Sequence, residues 1–467
     1  MTRKKAGGWI VSSVKIAPNP VNNTYRLVSA GGVRSVRSPI LLEVLDRVDI
    51  GSTEGEGQVA VAGRAAKKEY RMVMDGLVDD SGIVRNARDA GKSGIDDLDV
   101  VTRAMMPNIV GAAAEVVRSL LSGAPVMVRF HNDCDGASGA VGLFDAISSL
   151  QGRTGLEDMN MAWQMNRSIA YSNDLAQSDR LVFNSYSSVE MPLVLITDFG
   201  TSQESEAAIS AYKGVYNFVW LDHHPIYAGF PKGDIPFYIN PWDFGGNSDY
   251  TAGFLAGTFA EVMAPISAAA VKRASLIGDY STYADREDAR SVRISAVLDY
   301  MTGKKEFQDN VTPKYMRSVI EDDGKLMEMF GYVTNMFNES IEVGLKNVKH
   351  YRTRDNVGVH VLDFAHIAAM GDEYPLPGRY SSKLHERMEA LNGDRTVTVV
   401  HYGSYISVRV SRGISEWFGL LGRMEIAKGS SDCIYSFGGH NSAASVRSDK
   451  DHIATALRHL LSAMGVP

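Results

Sequence analysis

The sequence predicts an α/β protein: a parallel-sheet domain, a second, smaller α+β domain after it, and a small β-rich module before it. Between residues 123 and 300, helical stretches alternate with short apolar runs, among them PVMVRF, PLVLIT and NFVWL. Because these runs are apolar on both faces and rich in β-branched and aromatic residues, we expect strands of a parallel sheet covered by helices. The same alternation returns after residue 356 and predicts the second domain.

The elements before and after the central region follow from periodicity and composition. Strands are predicted in the N-terminal module at GWIVSSVKIA, NTYRLVSA and EYRMVM. Residues 98–121 carry apolar residues at three-and-four spacing and predict a helix, as do residues 305–350. The tail predicts strands at VGVHVLDF, RTVTVVHYG and YISVRVS, and helices at ISEWFGLLGRMEIAKG and DHIATALRHLLSAM. The predicted boundaries are 1–95 for the N-terminal module, 96–304 for the central domain, 305–355 for a helical connector and 356–467 for the tail domain.

Composition narrows the class of protein. The chain has 467 residues, 45% of them hydrophobic, which predicts a soluble protein of more than one domain. Its formal net charge of −7 argues against a protein that binds DNA over its whole surface, although a local basic groove remains compatible with it. Cys134 and Cys433 are too few for a disulfide framework or a zinc ribbon. The start of the chain predicts no signal peptide, and no apolar run suggests a membrane span, so cytoplasm is the expected location.

Acidic residues follow four separate apolar runs. The residues concerned are His131, Asp133 and Asp135 after PVMVRF, Asp198 after PLVLIT, Asp222, His223 and His224 after NFVWL, and Asp279 in ASLIGDYS. Ligands of open parallel sheets bind outside the carboxyl ends of the strands, so we expect these side chains to converge on one edge. A single acid after a strand is more often a helix cap than a ligand, but four in this order point to a common site.

Converging carboxylates repel one another and lose hydration, so they either take up protons or bind cations. Histidines in the same positions favour cations. Mixed imidazole and carboxylate ligands suit Mn²⁺ best, with Mg²⁺, Co²⁺ or Zn²⁺ as alternatives. The sequence therefore predicts a divalent metal site.

These segments resemble the motifs of a known superfamily. HNDCDG, ITDFG, LDHHP and LIGDYS are similar to the four motifs of the DHH phosphoesterases, the third of which carries the Asp-His-His of the name. YISVRVSR and SFGGHNSAAS resemble elements of the DHH-associated domain, although Ser445 stands where that family usually has glycine. The resemblance covers residues 125–447 and is strongest to archaeal RecJ-like nucleases, which have a histidine at the position of His131.

The resemblance implies a role for each motif residue. Two metal ions would be bridged by Asp198, the first held by His131 and Asp133, and the second by Asp135, His223 and Asp279. Asp222 would orient the ring of His223. His224 would donate a hydrogen bond to the phosphate. Asp133, Asp135, Asp198, Asp222, His223 and His224 would together form the catalytic set.

The tail motifs imply a substrate-binding site. Gly438 and Gly439 would let backbone N–H groups approach a phosphate, and His440, Arg409 and Arg412 would add donors. Aromatic residues such as Trp242 and Phe244 would either stack on bases or pack in the fold.

Three hypotheses of function follow from the resemblance. The first is metal-dependent, RecJ-like exonuclease action on single-stranded DNA or RNA, by a two-metal mechanism, in replication or repair. The second is hydrolysis of short oligonucleotides or cyclic dinucleotides. The third is a scaffold associated with the GINS replication complex, in which residues 1–95 could contact GINS. No membrane partner is expected.

Overall fold

A computed structural model describes residues 8–19, 22–38, 40–50, 59–90, 96–156, 158–304, 311–370, 375–439 and 441–466. The chain separates into two compact units. The first contains Met1–Thr302 and Glu306–Leu326, and the second contains Gly303–Lys305 and Met327–Pro467. The predicted α/β class, with a parallel sheet, a mixed tail sheet and a β-rich N-terminal part, is confirmed. The domain boundaries at residues 95, 304 and 355 stay predictions.

An antiparallel sheet opens the first unit. Its elements are β1 (Trp9–Lys15), β2 (Thr24–Ser29), β3 (Gly32–Arg37), β4 (Asp46–Ile50) and β5 (Val59–Arg64), followed by α1 (Lys67–Asp80) and α2 (Ile83–Asn86). The strand order is β3-β2-β1-β4-β5. The prediction of a strand at EYRMVM was wrong, because this segment lies in α1. Tyr70 and Met74 are buried, whereas Met72, which would share their face in a strand, is 68% exposed, so the burial follows the helical period.

A parallel sheet forms the centre of the first unit. The elements are α3 (Asp96–Ser122), β6 (Val126–His131), α4 (Cys134–Thr154), β7 (Met161–Asn166), α5 (Asn173–Phe183), β8 (Tyr186–Ser188), β9 (Leu193–Thr197), α6 (Glu206–Tyr212), β10 (Asn217–Leu221), β11 (Phe237–Ile239), α7 (Ala252–Met263), α8 (Ala269–Gly278), α9 (Ala289–Gly303) and α10 (Pro313–Glu321). The order is β11-β10-β9-β6-β7 with every pair parallel, while β8 joins the N-terminal sheet beside β1. The predicted strands β6, β9 and β10 are confirmed.

Among the described residues of the first unit, one helix is long and apolar enough to cross a membrane, as judged by length and composition alone. This stretch, Leu98–Ser122 of α3, was overlooked when the sequence predicted no spanning segment. Met105, Ile109 and Val116 are each 0% exposed, and they belong to the hydrophobic core of the first unit. The apolar side of α3 is therefore used inside the protein.

A mixed sheet forms the second unit. Its elements are α11 (Asp323–Asn347, which begins in the first unit), β12 (Lys349–Arg352), β13 (Gly358–Asp363), α12 (Ala365–Ala368), α13 (Pro377–Asn392), β14 (Thr396–Tyr402), β15 (Tyr405–Val410), α14 (Arg412–Phe418), α15 (Leu420–Gly429), β16 (Ile434–Gly439), β17 (Ala443–Ser448) and α16 (Ile453–Ala463). The order is β12-β13-β14-β15-β17-β16. The prediction of one helix at 414–429 was wrong, because Gly419 adopts a left-handed φ of +60° and ends α14.

Candidate metal centre

The turn from β6 into α4 places three candidate ligands together. His131 is the last residue of β6, Asp133 caps α4 by accepting a hydrogen bond from the Gly136 N–H at 3.1 Å, and Asp135 lies fully buried in the first turn. A β-carbon at position 136 would lie 2.4 Å from the carbonyl oxygen of His131. Glycine is therefore required here by close packing of the turn.

Asp198 follows β9 at the point where the order of the parallel sheet reverses. The chain passes from β6 outward to β7 and then returns to β9 on the other side of β6. Asp198 has a left-handed φ of +67° and is 2% exposed. Aspartate tolerates this conformation better than most side chains, and here it turns the carboxylate into the crevice at the reversal point.

The three polar residues after β10 form a local hydrogen-bond network. Asp222 is fully buried, and its Oδ1 accepts from the His223 N–H at 2.8 Å and from His224 Nδ1 at 2.7 Å, while its Oδ2 accepts from the Thr201 N–H at 3.2 Å. The prediction that Asp222 orients the ring of His223 was therefore wrong. The ring nitrogen Nδ1 of His223 donates instead to the carbonyl oxygen of Ser248 at 2.8 Å.

The fourth motif contributes its acid from a helix. Asp279 is the C-terminal cap of α8, whereas the sequence placed it with residues that follow strands. The segment ASLIGDYS is apolar enough to suit either element, so its hydrophobicity did not distinguish them. The carboxylate of Asp279 nevertheless lies in the same cluster as Asp135 and His223.

His223 lies at the centre of the acidic residues. Its Nε2 is 3.4 Å from Asp198, 3.5 Å from Asp279 and 3.6 Å from Asp135. A carbonyl oxygen can only accept, so the bond to Ser248 places a proton on Nδ1 and, in the neutral ring, leaves the Nε2 lone pair facing these carboxylates. This is the tautomer that a metal ligand needs.

His131 forms a second group around the same central acid. Its Nδ1 lies 2.9 Å from Asp133 and 3.7 Å from Asp198. Three sets of side chains thus have ligand atoms close enough to share an ion: His131 with Asp133 and Asp198; Asp135 with His223 and Asp279; and Asp198 with Asp222, His223 and His224. The first two sets match the predicted division of the ligands.

The electrostatics of the central acids indicate an excess of negative charge. Burial raises the pKa of Asp135 to about 7, with neighbouring carboxylates adding to the effect of burial and His223 opposing it. Burial also raises the pKa of Asp198 well above its usual range, and the nearby carboxylates, led by Asp133, raise it further. At both positions, burial and the neighbouring carboxylates disfavour the ionised form of the acid.

The same negative charge favours the protonated form of the two histidines after β10. Burial lowers the pKa of His223, but the surrounding carboxylates outweigh burial and raise it to about 9. Burial likewise lowers the pKa of His224, but Asp222 outweighs burial and raises that pKa above its usual value. For Asp222 itself, burial would raise the pKa, yet His224 and the hydrogen bonds to the carboxylate hold it far below its usual range. Asp222 and His224 therefore form an ion pair, unlike the central acids.

The donor set fits divalent cations. The Oδ2 atom of Asp198 is buried and has no hydrogen-bond partner among the residues that the structure describes. Carboxylate oxygens together with imidazole nitrogens are common ligands of divalent metals, and a cation would satisfy that oxygen and compensate the repulsion. The cluster is therefore able to bind divalent metal.

The N-terminus of α7 supports Asp135, and sequence reasoning missed it. The carboxylate accepts hydrogen bonds from the Ala252 N–H at 2.8 Å and the Gly253 N–H at 2.7 Å. Thr251 caps this helix. A threonine before an apolar helical stretch is a recognisable start signal, but nothing in the sequence showed which acid the helix would face.

Gly253→Ala should disrupt the half of the site that contains Asp135. A β-carbon there would lie 2.6 Å from the carbonyl oxygen of Asp135 and 2.8 Å from its Oδ1. Because positions that orient a ligand typically change metal affinity or activity by about 10–100-fold, we expect a loss in that range. The measurement is the rise in melting temperature on Mn²⁺ addition, together with hydrolysis.

Gly257→Ala provides the matched control on the same helix. A β-carbon at this position would lie 2.5 Å from Cγ of Lys272, a buried residue that pairs with Glu261, rather than beside a ligand. It should leave metal-induced stabilisation near the wild-type level. Equal losses in both variants would show that the Gly253 effect is only general damage to α7.

Trp242 and Phe244 differ in their surroundings. Trp242 is 42% exposed, and its Nε1 donates to the carbonyl oxygen of His223 at 3.1 Å. The Oδ1 atom of Asn240 accepts a hydrogen bond from the backbone N–H of Trp242 at 3.1 Å. Phe244 packs against the hydrophobic core of the first unit. Of the two, Trp242 presents a fixed, accessible indole beside a candidate ligand.

No family model matches the chain. An uncharacterized protein of Methanocaldococcus jannaschii is 26% identical over 204 residues, covering 40% of this chain and 26% of the relative, so the match spans about a quarter of that protein. A solved structure described as the DHH domain of a member of a family of ribosomal proteins superposes with a TM-score of 0.65 at 22% identity, covering 78% of this chain and 91% of that one. This chain has the DHH fold. Thermus thermophilus RecJ in complex with Mn²⁺ gives a TM-score of 0.49 at 15% identity, over 76% of this chain and 54% of RecJ.

The DHH fold confirms the predicted resemblance at the level of architecture. The tail residues of the resemblance lie in the second unit. Arg409 is engaged within that unit, since its guanidinium donates to Ser382 Oγ at 2.9 Å, Ser407 Oγ at 3.2 Å and the Gly378 carbonyl at 3.3 Å. Arg412 begins α14 and is exposed.

The glycine pair of the tail motif has two different structural settings in this DHH-fold chain. A β-carbon at Gly438 would meet nothing within 4 Å, whereas one at Gly439 would lie 2.4 Å from the carbonyl oxygen of Ala443. Gly439 also has a φ of +128°. The fold thus requires glycine at 439 only. Ser445, the departure from the family motif, pairs with Gly438 across β16 and β17, and His440 lies outside the described residues.

Proposed function

We propose that this protein is a metal-dependent phosphodiesterase that acts as an exonuclease on single-stranded DNA or RNA. The observation that carries the proposal is the convergence of two His-and-carboxylate sets on Asp198, at the reversal point of the parallel sheet. Such a crevice is where open α/β sheets bind ligands. The motif resemblance to RecJ-like nucleases supports the choice of substrate.

The ligands in this proposal keep their predicted division. His131 and Asp133 would hold one cation, Asp135, His223 and Asp279 would hold a second, and both would share Asp198. Bound cations would supply the positive charge that activates water for attack and neutralises the phosphate oxygens. Mn²⁺ is the preferred ion for this mixed donor set, ahead of Mg²⁺, Co²⁺ and Zn²⁺.

His224 is the proposed donor to the substrate phosphate. Its side chain is 44% exposed, while its Nδ1 is held by the buried Asp222 at 2.7 Å. This bond directs Nε2 away from Asp222, and the Asp222 carboxylate favours the charged form of the ring, which suits a phosphate oxygen. In the second unit, Arg409, Arg412, Gly438, Gly439 and His440 are proposed to bind the rest of the substrate.

A digestion time course tests the proposal. The full chain with Mn²⁺ is incubated with single-stranded DNA and RNA oligonucleotides labelled at either the 5′ or the 3′ end. A ladder that shortens from one end, and is lost in EDTA and in Asp198→Asn, supports the exonuclease and reports its polarity and sugar preference. The variant is chosen because asparagine accepts the left-handed backbone at this position.

Other outcomes separate the remaining hypotheses. Turnover of dinucleotides or cyclic dinucleotides without cleavage of long strands would favour the small-substrate phosphodiesterase. Absence of any hydrolysis would contradict the enzyme and favour a scaffold. An association with GINS in replication, and a cytoplasmic location, are further proposals that rest on the sequence resemblance. A pull-down with GINS, with and without residues 1–95, tests the first of them.

Trp242→Ala should weaken substrate binding at the reaction site. The indole is half-exposed and fixed beside His223, so a base can stack on its free face. Stacking is worth about 1–3 kcal/mol per base, so we expect KM for oligonucleotides to rise by about 5- to 150-fold. Steady-state kinetics on normal oligonucleotides, compared with oligonucleotides lacking the terminal base, measure the effect.

Trp242→Phe separates stacking from positioning. Phenylalanine keeps an aromatic face but cannot donate to the carbonyl of His223, so it should retain most of the affinity. A phenylalanine variant as impaired as alanine, chiefly in kcat, would show that the hydrogen bond to His223 matters and that base stacking does not.

A further inference from the structure

A polar cavity of about 510 Å³ lies in the second unit, at the edge of its sheet. It contains none of the residues assigned above to metal or substrate. Its walls come from β12, the turn into β13, and the end of α13 with the start of β14. The lining residues are His350, Tyr351, Arg352, Asn356, Gly358, His360, Asn392, Asp394 and Arg395.

The edge strand β12 gives this cavity a basic rim. All four of its residues, Lys349, His350, Tyr351 and Arg352, are exposed, and the strand pairs only with β13 within the sheet. Residues 346–354 include four lysines or arginines and no acid, in a chain whose formal net charge is −7. A local cationic segment with an exposed aromatic residue is a typical surface for single-stranded nucleic acid.

The two arginines of the cavity are oriented but not neutralised. Arg352 donates to Asn356 Oδ1 at 2.5 Å, and Arg395 donates to the carbonyl oxygen of Asp355 at 2.5 Å. Arg395 also stacks on Trp417, with 5.1 Å between its guanidinium carbon and the ring centroid. Neither arginine forms an ion pair with a carboxylate in the described part of the chain. Their charges therefore remain available to an anion.

Two histidines from neighbouring strands line the cavity. His350 and His360 face each other across β12 and β13 with 2.8 Å between their Nδ1 atoms, a contact that requires one proton shared between two rings. Burial, with help from His350 and Arg352, lowers the pKa of His360 to about 4. A β-carbon at Gly358 would lie only 3.1 Å from His360 Nε2. Asp394 is the one acid in the lining.

We infer that this cavity binds a phosphate group of a single-stranded nucleic acid through Arg352 and Arg395. The identity of the ligand as a nucleic acid rests on the proposed function, whereas its anionic character rests on the cavity itself. Arginine is suited to this task because its planar fork matches phosphate oxygens. The site would hold a part of the strand that is not being cleaved.

Equilibrium binding of labelled oligonucleotides to the full chain in EDTA tests the inference. Arg352→Ala/Arg395→Ala should bind a strand of about 24 nucleotides about 10-fold more weakly than wild type at about 0.1 M salt. Because each neutralised phosphate of a single strand contributes about 0.7 to the slope of log K against log salt, loss of this one phosphate contact should reduce that slope by about 0.7. Hydrolysis of a dinucleotide by the same variant in Mn²⁺ should stay near the wild-type rate.

Two further variants serve as controls. Arg352→Lys/Arg395→Lys keeps the charge and should preserve most of the salt slope. Asp394→Asn removes the one negative charge of the lining and should tighten binding of the strand. Asp394 and the two arginines are exposed, so all these variants should fold, which circular dichroism can check.

A mononucleotide added as competitor distinguishes the source of the phosphate. Arginine-dependent binding of the mononucleotide as tight as that of the strand would identify a terminal or free phosphate as the ligand. Binding that strengthens with strand length identifies the polymer. Unchanged affinity and salt slope in the double alanine variant would overturn the inference, even if the enzyme is active. Arginine-dependent strand binding in a protein that hydrolyses nothing would uphold it and reject the proposed activity.

Discussion

Asp198→Asn should abolish hydrolysis and, without metal, make the folded protein more stable than wild type. The carboxylate is 2% exposed, and its Oδ2 has no hydrogen-bond partner in the described part of the chain. A buried acceptor left unsatisfied costs about 1–3 kcal/mol, so the free energy of unfolding should rise by an amount of that order. Loss of the shared ligand should lower the rate of hydrolysis by about 1000-fold or more, since bound cations contribute several kcal/mol to catalysis.

The gain in stability should depend on pH in a defined direction. Burial, together with Asp133, Asp135 and Asp279, raises the pKa of Asp198 in the folded state. A carboxyl group of this kind destabilises the fold progressively as the pH rises above its unfolded-state pKa of about 4. The variant should therefore exceed wild type at about pH 8, and the difference should vanish at about pH 3.

Urea unfolding in EDTA at several pH values measures this effect. Addition of Mn²⁺ should reverse the ranking, because an ion that binds only the folded protein stabilises it by mass action, and the variant has lost a ligand. A variant that retains full activity, or one that metal stabilises as much as wild type, would contradict the assignment of Asp198 as a shared ligand.

Asp222→Ala should have the opposite effect on stability. This carboxylate is also fully buried, but it accepts hydrogen bonds from Thr201, His223 and His224. Removal of one partner from a buried charged pair costs about 3–5 kcal/mol, because the other partner stays buried and uncompensated. The half-exposed ring of His224 can rehydrate, so we expect the lower end of that range. Hydrolysis should fall as well, since nothing then holds the His224 ring.

The pH dependence of this contribution also differs from that of Asp198. Although burial opposes it, the pairing with His224 lowers the folded-state pKa of Asp222. The stabilisation is therefore fully present above the unfolded-state pKa of about 4 and is lost as the pH falls through the lower, folded-state pKa. The difference between wild type and Asp222→Ala should persist at about pH 7 and shrink only in strong acid.

His224→Ala is the matched control for Asp222→Ala. It removes the proposed phosphate donor but leaves the backbone N–H groups that bind Asp222. Hydrolysis should fall with a smaller loss of stability in urea. Equal stability of Asp222→Ala and wild type would show that the network does not hold this segment, and full activity of His224→Ala would remove its role as phosphate donor.

Local patterns were sufficient for the main strands and for most ligands. PVMVRF, PLVLIT and NFVWL form β6, β9 and β10, and the polar residues that follow them meet at one edge of the sheet. This works because parallel strands covered on both faces are continuous apolar runs, and their carboxyl ends lie side by side. Short or partly exposed strands such as β7 and β11 lack that signal, and they were not predicted.

Local sequence patterns failed where the same composition suits either a helix or a strand. EYRMVM has the β-branched and aromatic content of a strand, yet its buried residues repeat every four positions in α1. The basic segment of β12 carried no strand signal either, since all of its side chains are exposed. Arg352 of β12 lines the same cavity as Arg395 only because β12 pairs with β13 and β13 pairs with β14.

The resemblance to the DHH phosphoesterases implied the division of the ligands into two sets around Asp198, and the sequence by itself determined the fold class and the identity of the acids and histidines. These depend on residue type and on the order of strands, which the chain specifies locally. Only the tertiary structure decided that His223 donates to Ser248, that Asp222 pairs with His224, and that the N-terminus of α7 supports Asp135. Hydrogen bonds such as those from His223 to Ser248 and from α7 to Asp135 join residues 25 and 118 positions apart, and their geometry is fixed by packing rather than by neighbouring sequence.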